Sequence, residues 1–313
     1  MIRIASIGEC MIELRHRSAT ELDLAYGGDT LNTAVYLARL TRDRDVRVDY
    51  VTALGDDAYS DAMLATWRAE GIGTDLVARL PGRLPGLYTI RTDARGERSF
   101  TYWRSASAAR EMLRDERAQQ VAAALEGHDL LYLSGITLSI LDQPQRRALA
   151  ALADRVRASG GRVAFDGNYR PVGWPSADLA RAAFDEVLKR VDIALPTLDD
   201  ERALFDVAEA MQCADRLHRQ GVAEVAIKLG PAGCFLSSAE FTGAIAAEPV
   251  AAVVDSTAAG DSFNAGYLAA RLLGADPQSA GRLGNRLAAR VIADPGAIIP
   301  AATMADIVLP GGA

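Results

Sequence analysis

A run of small residues near position 260 is the part of the sequence best suited to chemistry. Residues 254–263 read Val-Asp-Ser-Thr-Ala-Ala-Gly-Asp-Ser-Phe and lead into an apolar-periodic helix. Since no bulky side chain blocks the start of that helix, the N–H groups of Ala259, Gly260 and Asp261 are suited to bind an anion. Asp261, in the first turn, would direct its carboxylate at whatever the loop holds. The alternative is that an Asp or Ser merely caps the helix.

A pair of glycines followed by an asparagine forms a second candidate. Residues 26–34 read Tyr-Gly-Gly-Asp-Thr-Leu-Asn-Thr-Ala. Gly27 and Gly28 would let a ligand approach the backbone closely, and Asn32, one turn into a helix, can hydrogen-bond hydroxyl groups. A Gly-Gly pair by itself is usually only a turn.

Arginine and aromatic residues alternate in a third stretch. If residues 98–104 form a strand, then Phe100, Tyr102 and Arg104 share one face. Such a face can close over a polar ligand, although an isolated arginine is also common as a solvated surface charge.

Composition excludes several classes of function. The 313 residues are 50% hydrophobic and 24% charged, with a net charge of −7. This is typical of a globular enzyme and argues against a nucleic-acid or membrane-surface partner. Three widely spaced cysteines and three isolated histidines show no pattern of a disulfide framework or zinc site. Early charge at the N-terminus and the absence of an apolar run of about 20 residues favour a cytoplasmic protein.

Short apolar runs alternate with longer amphipathic segments, which predicts an α/β fold with a mostly parallel sheet and helices on both faces. The predicted strands cover residues 2–7, 48–54, 129–133, 162–165, 192–195 and 224–229. The predicted helices cover residues 30–40, 57–70, 144–158, 178–190, 208–220, 260–273 and 277–293.

Two insertions interrupt this rhythm, at approximately residues 10–27 and 84–104. Both contain strand-like runs, and residues 92–97 read as a polar turn between two strands. We interpret them as a small antiparallel β lid that projects from the main domain.

The first two motifs together resemble those of the ribokinase-like (phosphofructokinase-B type) carbohydrate kinases. The C-terminal signature of that family is Asp-Thr-Thr-Gly-Ala-Gly-Asp-x-Phe, from which Ser256 and Ala258 depart here. Residues 26–34 resemble its N-terminal Gly-Gly-x-x-x-Asn signature. The resemblance spans nearly the whole chain and implies a single ribokinase-like domain over residues 1–313.

The resemblance also implies roles for these residues. Asp261 would be the base on a sugar hydroxyl, and the amides of Ala259, Gly260 and Asp261 would form an anion hole for the transferring phosphate of ATP. Gly27, Gly28 and Asn32 would bind the sugar. Because a helix N-terminus favours the charged carboxylate, we expect Asp261 to be ionised and not strongly basic.

Further stretches resemble one branch of the family, which phosphorylates the acid sugar 2-dehydro-3-deoxygluconate at O6. They are residues 8–14, 84–88, 102–104 and 166–171. The resemblance places Tyr88, Tyr102, Arg104 and Arg170 around the sugar. Planar guanidinium groups suit a carboxylate substrate, which agrees with this assignment.

The nucleotide side is assigned by the same resemblance. The implied contacts to ATP come from Asn168, Lys228, Gly230, Gly233, Ala258, Gly260 and Asn285. Mg²⁺ is implied as well, with a monovalent cation as an optional activator. The family's Asn-x-x-Glu motif is replaced by Thr197-Leu198-Asp199-Asp200, followed by Glu201, so either Asp200 or Glu201 would position the metal through water.

Two other functions stay open at this point. The chain is alternatively a fructokinase or another keto-sugar kinase, or, in a different class, a catalytically silent sensor of sugar or nucleotide. An exposed apolar lid face would also make it a homo-oligomer joined lid to lid.

Overall fold

The computed structural model describes residues 1–92 and 98–309, so that the turn predicted at residues 92–97 lies, apart from Thr92, outside the described residues. The strands are β1 Ile2–Ile7, β2 Met11–His16, β3 Leu22–Gly27, β4 Val46–Leu54, β5 Ile72–Gly73, β6 Val77–Arg79, β7 Gly86–Thr92, β8 Arg98–Trp103, β9 Leu130–Ser134, β10 Arg162–Asp166, β11 Ile193–Ala194, β12 Glu224–Lys228, β13 Cys234–Ser237 and β14 Thr242–Ile245. The α-helices are α1 Asp29–Leu40, α2 Ala58–Ala69, α3 Glu116–Ala124, α4 Gly135–Ile140, α5 Gln143–Ala158, α6 Ala177–Leu188, α7 Leu198–Phe205, α8 Ala210–Arg219, α9 Ala259–Leu272 and α10 Pro277–Val291.

The main sheet has the strand order β14-β13-β12-β11-β10-β9-β1-β4-β5, with β6 also paired to β4. From β12 to β5 neighbouring strands run parallel, and β13 and β14 add an antiparallel edge. The predicted mostly parallel sheet is confirmed.

Two separate apolar cores cover the two faces of this sheet. In β1, Ile4 belongs to one core and Ala5 to the other, as the alternation of side chains along a strand requires. The first core also contains buried residues of α1, α2, α9 and α10, and the second those of α3, α5, α6 and α8. Helices therefore lie on both faces of the sheet, which explains why the central strands carry apolar side chains on both faces.

Strands β3, β2, β7 and β8, in that order, form a second sheet, here called the small sheet. It consists of two antiparallel hairpins, β2–β3 and β7–β8, whose inner strands β2 and β7 pair in parallel. Its strands come from the two segments that interrupt the βαβ rhythm.

The carboxyl ends of the parallel strands bring polar residues to one edge of the main sheet. Ser134 ends β9, Asp166 ends β10 and Lys228 ends β12. This is the edge at which α/β proteins bind their ligands. Within the described ranges no helix combines the length and apolarity needed to cross a bilayer.

Candidate active site

Helix α9 begins in the way an anion site requires. Ala258 is its N-cap residue and makes no capping hydrogen bond with its own side chain, so Asp261, in the first turn, is not the N-cap. Ala258 has φ 61°, in the left-handed region that disfavours residues with a Cβ. The Ala259 amide donates to Ser256 O at 3.3 Å, whereas Gly260 and Asp261 supply first-turn amides for which the helix itself offers no acceptor.

The Asp261 side chain turns away from its own helix and contacts α1. Its Oδ2 accepts a hydrogen bond from Asn32 Nδ2 at 2.8 Å, and its backbone oxygen accepts one from Thr33 Oγ1 at 3.1 Å. The two sequence motifs, 229 residues apart, therefore meet in one buried cluster. Asn32 Oδ1 is buried and lacks a hydrogen-bond partner among the described residues, and is thus oriented to accept from a ligand.

The acidity of Asp261 differs from the expectation. Burial, followed by the nearby Asp29 carboxylate, raises the pKa of Asp261 to about 8. The expected ordinary acidity is therefore wrong, because desolvation and a like charge outweigh the helix N-terminus. A carboxylate with a pKa near neutrality is better matched to accepting a proton.

Asp29, which the sequence motif contains but which was not assigned a role, connects α1 to the end of β10. Its Oδ2 accepts from Asn168 Nδ2 at 2.7 Å and its Oδ1 from the Thr30 amide at 2.9 Å. Loss of hydration raises the pKa of Asp29 as well. The only available sequence signal was its position in the first turn of a helix that also carries Asn32.

Lys228 lies behind the start of α9. Its Nζ donates to Asp166 Oδ2 at 2.9 Å and to Asn264 Oδ1 at 3.0 Å. Asn264 Nδ2 in turn donates to Asp166 Oδ2 at 2.7 Å and to Tyr132 Oη at 3.0 Å. A Cβ placed on Gly260 would lie 3.6 Å from Lys228 Nζ, so the ammonium group is close to the predicted anion hole. Asp166, Asn264 and Tyr132 were missed because their partners are distant in sequence.

A cleft of about 1060 Å³ lies beside the small sheet. Three of the predicted sugar-binding side chains line it, namely Tyr102, Arg104 and Arg170. Asp261 and Asn32 do not line it. The segment 166–170 links the two places, since Asn168 contacts Asp29 while Arg170 borders the cleft.

Both arginines already contact acidic residues. Arg104 Nη2 bonds to the buried carboxylate of Glu9, while Arg104 Nε and Glu9 Oε1 are buried without partners in the described residues. Arg170 Nη1 lies 3.2 Å from Asp200 Oδ1. Each guanidinium retains N–H groups for a ligand carboxylate, because it has five donors in total.

Tyr88 lies under the cleft rather than in its wall. Its ring stacks obliquely on Tyr102 with centroids 5.8 Å apart, and its hydroxyl donates to Glu13. A Cβ on Gly27 would lie 2.6 Å from the Tyr88 hydroxyl, and one on Gly28 would lie 2.1 Å from Glu9 O. Both glycines are therefore required by close packing of the chain itself.

The predicted nucleotide residues are more scattered. Gly230 and Gly233 have φ values of 57° and 93° and form the turn after β12. The buried Asn285 donates to Ile245 O at 3.2 Å and Ala246 O at 3.0 Å, which ties α10 to the end of β14. Its amide thus has a structural role in addition to any contact with a nucleotide.

The model of the pfkB family carbohydrate kinases matches residues 1–304. The chain belongs to the pfkB family. It is 47% identical over 307 residues to a protein of Dickeya dadantii (strain 3937) named 2-dehydro-3-deoxygluconokinase, covering 96% of this chain and 98% of that one.

Solved structures agree with the pfkB fold. The crystal structure of a PfkB protein from Polaromonas sp. JS666 superposes with a TM-score of 0.82 at 27% identity, covering 92% of this chain and 95% of that chain. A putative ribokinase II from E. coli, solved in complex with ATP and Mg²⁺, gives a TM-score of 0.83 at 23% identity over 95% and 94% of the two chains. The ribokinase-like fold inferred from the motifs is therefore confirmed.

The acidic residues can be compared with what Mg²⁺ requires, since the E. coli ribokinase II structure contains this ion together with ATP. No group of three or more His, Cys, Asp or Glu side chains that could cage a metal occurs in residues 1–92 and 98–309. Mg²⁺ is usually held by phosphate oxygens, waters and one or two carboxylates, and Asp200 and Glu201 are the two carboxylates proposed from the sequence. Of the two candidates, Glu201 is buried against Arg216 Nη2 at 2.6 Å, and Asp200 lies beside Arg170 near the cleft.

Proposed function

We propose that this kinase transfers the γ-phosphoryl group of ATP to O6 of 2-dehydro-3-deoxy-D-gluconate. The observation that carries the choice of an acid sugar is the presence of Arg104 and Arg170 on one cleft, because guanidinium groups recognise carboxylates by paired, charge-assisted hydrogen bonds. The 47% identity to a relative named for this substrate supports the same choice.

Asp261 is the general base of the proposed reaction. Its carboxylate takes the proton of the C6 hydroxyl as that oxygen bonds to the γ-phosphorus, and the bond between this phosphorus and the β–γ bridging oxygen breaks to leave ADP. Asn32, which donates to Asp261 Oδ2, keeps the carboxylate in place. The raised pKa of Asp261 makes the proton transfer more favourable than it would be for an ordinary aspartate.

The amides at the start of α9 stabilise the charge on the transferring group. Gly260 and Asp261 supply the donors, and the Ala259 amide joins them if its 3.3 Å contact to Ser256 O opens. The Lys228 ammonium adds positive charge behind this turn. Preorganised donors of this kind are usually the largest contribution to phosphoryl-transfer catalysis.

Mg²⁺, when bound with ATP, would neutralise charge on the phosphates, and Asp200 is the better placed of the two candidate carboxylates to hold it through water. Asn168, Gly230, Gly233, Ala258 and Asn285 complete the proposed nucleotide side. Activation by a monovalent cation is part of the proposal and is tested by comparing rates in potassium chloride and choline chloride.

The small sheet is the proposed lid over the sugar, with Gly27, Gly28, Tyr88 and Tyr102 as its sugar-side residues. Closure would exclude water from the reaction and limit hydrolysis of ATP. The cytoplasm, where ATP is abundant, is the proposed location.

The small sheet also supports a proposed homo-oligomer. Leu24 and Trp103, on its two edge strands, are 51% and 58% exposed, and such an apolar, unpaired edge favours association with a second copy. Sedimentation of the wild type and of a Leu24→Lys variant tests this. A monomeric wild type would refute the association.

A coupled assay of ADP release tests the function. Reaction with 2-dehydro-3-deoxygluconate at a kcat/KM well above that with fructose or ribose is the expected result. Preference for fructose would instead support the fructokinase alternative, and no ADP release with any sugar would support a silent sensor. Since Asp261 and the small-residue loop are intact, turnover is expected.

A further inference from the structure

A line of polar contacts runs from the sugar side of the small sheet to the loop that precedes α9. The Tyr88 hydroxyl donates to the buried Glu13 carboxylate. Glu13 Oε1 lies 3.3 Å from Arg15 Nη2, and the same Nη2 lies 3.4 Å from Asp255 Oδ2. Arg15 thus contacts one carboxylate on its own strand β2 and a second one on the main domain.

Asp255 is also hydrogen-bonded to the loop that precedes α9. Its Oδ1 accepts from the Thr257 amide at 2.9 Å and from Thr257 Oγ1 at 2.6 Å, and its Oδ2 accepts from the Gly296 amide at 3.1 Å. Ala258, in the left-handed conformation, follows immediately. A displacement of Asp255 would therefore change the position of the first turn of α9.

Arg15 lies between the carboxylates of Glu13 and Asp255. A cavity of about 260 Å³ separates the β2–β3 hairpin from residues 295–298, and both Glu13 and Arg15 line it. The Arg15 side chain is 28% exposed, while those of Glu13 and Asp255 are 5% and 8% exposed. Two largely buried carboxylates on either side of one arginine repel each other unless that arginine is present.

We propose that Arg15 is a positioning residue that couples occupancy of the sugar site to the geometry of the anion hole. Sugar in the cleft contacts Tyr102, and the Tyr102 ring packs on Tyr88. Tyr88 then fixes Glu13, Glu13 fixes Arg15, and Arg15 holds Asp255 and the loop before α9 in the transfer-competent position. This rests on the proposed function only in that the sugar occupies the cleft beside Tyr102. Energetic coupling of this kind requires contiguous contacts, which this line of residues supplies.

A double-mutant cycle tests the coupling. The variants are Arg15→Met, Tyr88→Phe and the pair, compared by kcat/KM for whichever sugar the wild type phosphorylates. The loss of kcat/KM in the double variant should differ by at least about threefold from the product of the losses in the two single variants. If Arg15 only stabilises the hairpin, the losses multiply, and the proposal is overturned.

A binding measurement gives a readout that does not need turnover. Calorimetry with a non-hydrolysable ATP analogue should show that sugar tightens analogue binding to the wild type, and that Arg15→Met removes this effect. Equal tightening in wild type and variant would overturn the proposal, as would its absence in the wild type. Arg15→Lys, which keeps the charge, replaces Arg15→Met if the latter does not fold.

Arg17→Met is the matched control. Arg17 lies next to the same hairpin and pairs with Asp23 at 3.3 Å, but both side chains are more than half exposed. This variant should keep the wild-type coupling. If the wild type prefers a sugar other than 2-dehydro-3-deoxygluconate, the proposed function fails, while the cycle and the binding test still decide the role of Arg15.

Discussion

The two regions that would meet the substrate are built in opposite ways. Around Asp261 the polar groups are buried, come from the ends of parallel strands and the starts of α1 and α9, and are bonded to one another. Around Arg104 and Tyr102 they stand on a four-stranded sheet that is partly exposed to solvent. The proposed base therefore lies in a buried, hydrogen-bonded cluster, whereas the proposed sugar-binding residues Tyr102 and Arg104 lie on a partly exposed sheet.

The largest effect is expected from the buried region. Asp261→Asn removes the proton acceptor while keeping its size, so kcat should fall by about 10²–10⁴-fold. The KM for ATP should change little. Steady-state kinetics measure both, with Asp199→Asn as a control, since Asp199 is 84% exposed on α7. Near-normal turnover by Asp261→Asn would contradict the assignment of the base.

Substitutions in the exposed region should raise the KM for the sugar. Arg104→Ala or Arg170→Ala removes one charge-assisted hydrogen bond to the sugar carboxylate, which should weaken acid-sugar binding by about 1.5–3 kcal/mol, roughly 10- to 150-fold in KM. Arg91→Ala is the control, because Arg91 lies on the same sheet but does not line the cleft. An effect confined to the KM for ATP would show that these arginines do not bind the sugar.

The pH dependence of kcat/KM tests the ionisation of Asp261 in the buried region. Because Asp261 must be ionised to accept a proton and its pKa is raised to about 8, kcat/KM should rise with pH and level off above that value. Asp29→Asn removes a neighbouring like charge and should move the midpoint down by about one pH unit. Since the two carboxylates interact, the profile reports the pair. A flat profile from pH 6 to 9 would exclude a titrating base.

The smallest expected effect is a change in the free energy of unfolding on substitution of Ala258, which precedes α9. Ala258 has a positive φ, so Ala258→Gly should raise the free energy of unfolding by about 1 kcal/mol. Ala151→Gly, at an exposed position within α5, should instead lower it by about 0.5–1 kcal/mol. Thermal unfolding measures both. A loss of stability in Ala258→Gly would mean that the left-handed conformation is not strained.

Helices and strands could be predicted where the pattern of apolar residues lies within the element itself. The apolar run of β1 and the periodicity of α9 and α10 specify those elements closely. Strands β13 and β14 were missed because they form an antiparallel edge outside the βαβ rhythm. Helix α7 was missed because residues 197–201 were interpreted only as an altered metal motif.

The site could be predicted only as far as its motifs extend. The family resemblance implied that Asn32 and Asp261 each face the sugar, whereas their direct hydrogen bond was not predicted. The contacts of Asp29 with Asn168 and of Lys228 with Asp166 depend on the packing of distant elements. For the same reason, the sequence did not indicate that burial would raise the pKa of Asp261.

The way the small sheet joins the rest of the chain has a consequence for redesign. Met11 pairs with Gly27, and Leu87 with Trp103, so each hairpin leaves and re-enters the main body at nearly the same point. Exchange of the β7–β8 hairpin for that of another pfkB protein would therefore keep both connections to the main body, whereas exchange of β2–β3 would also remove the contact of Arg15 with Asp255. Redesign of the acceptor specificity would therefore begin with the β7–β8 hairpin and retain Arg15 on the other one.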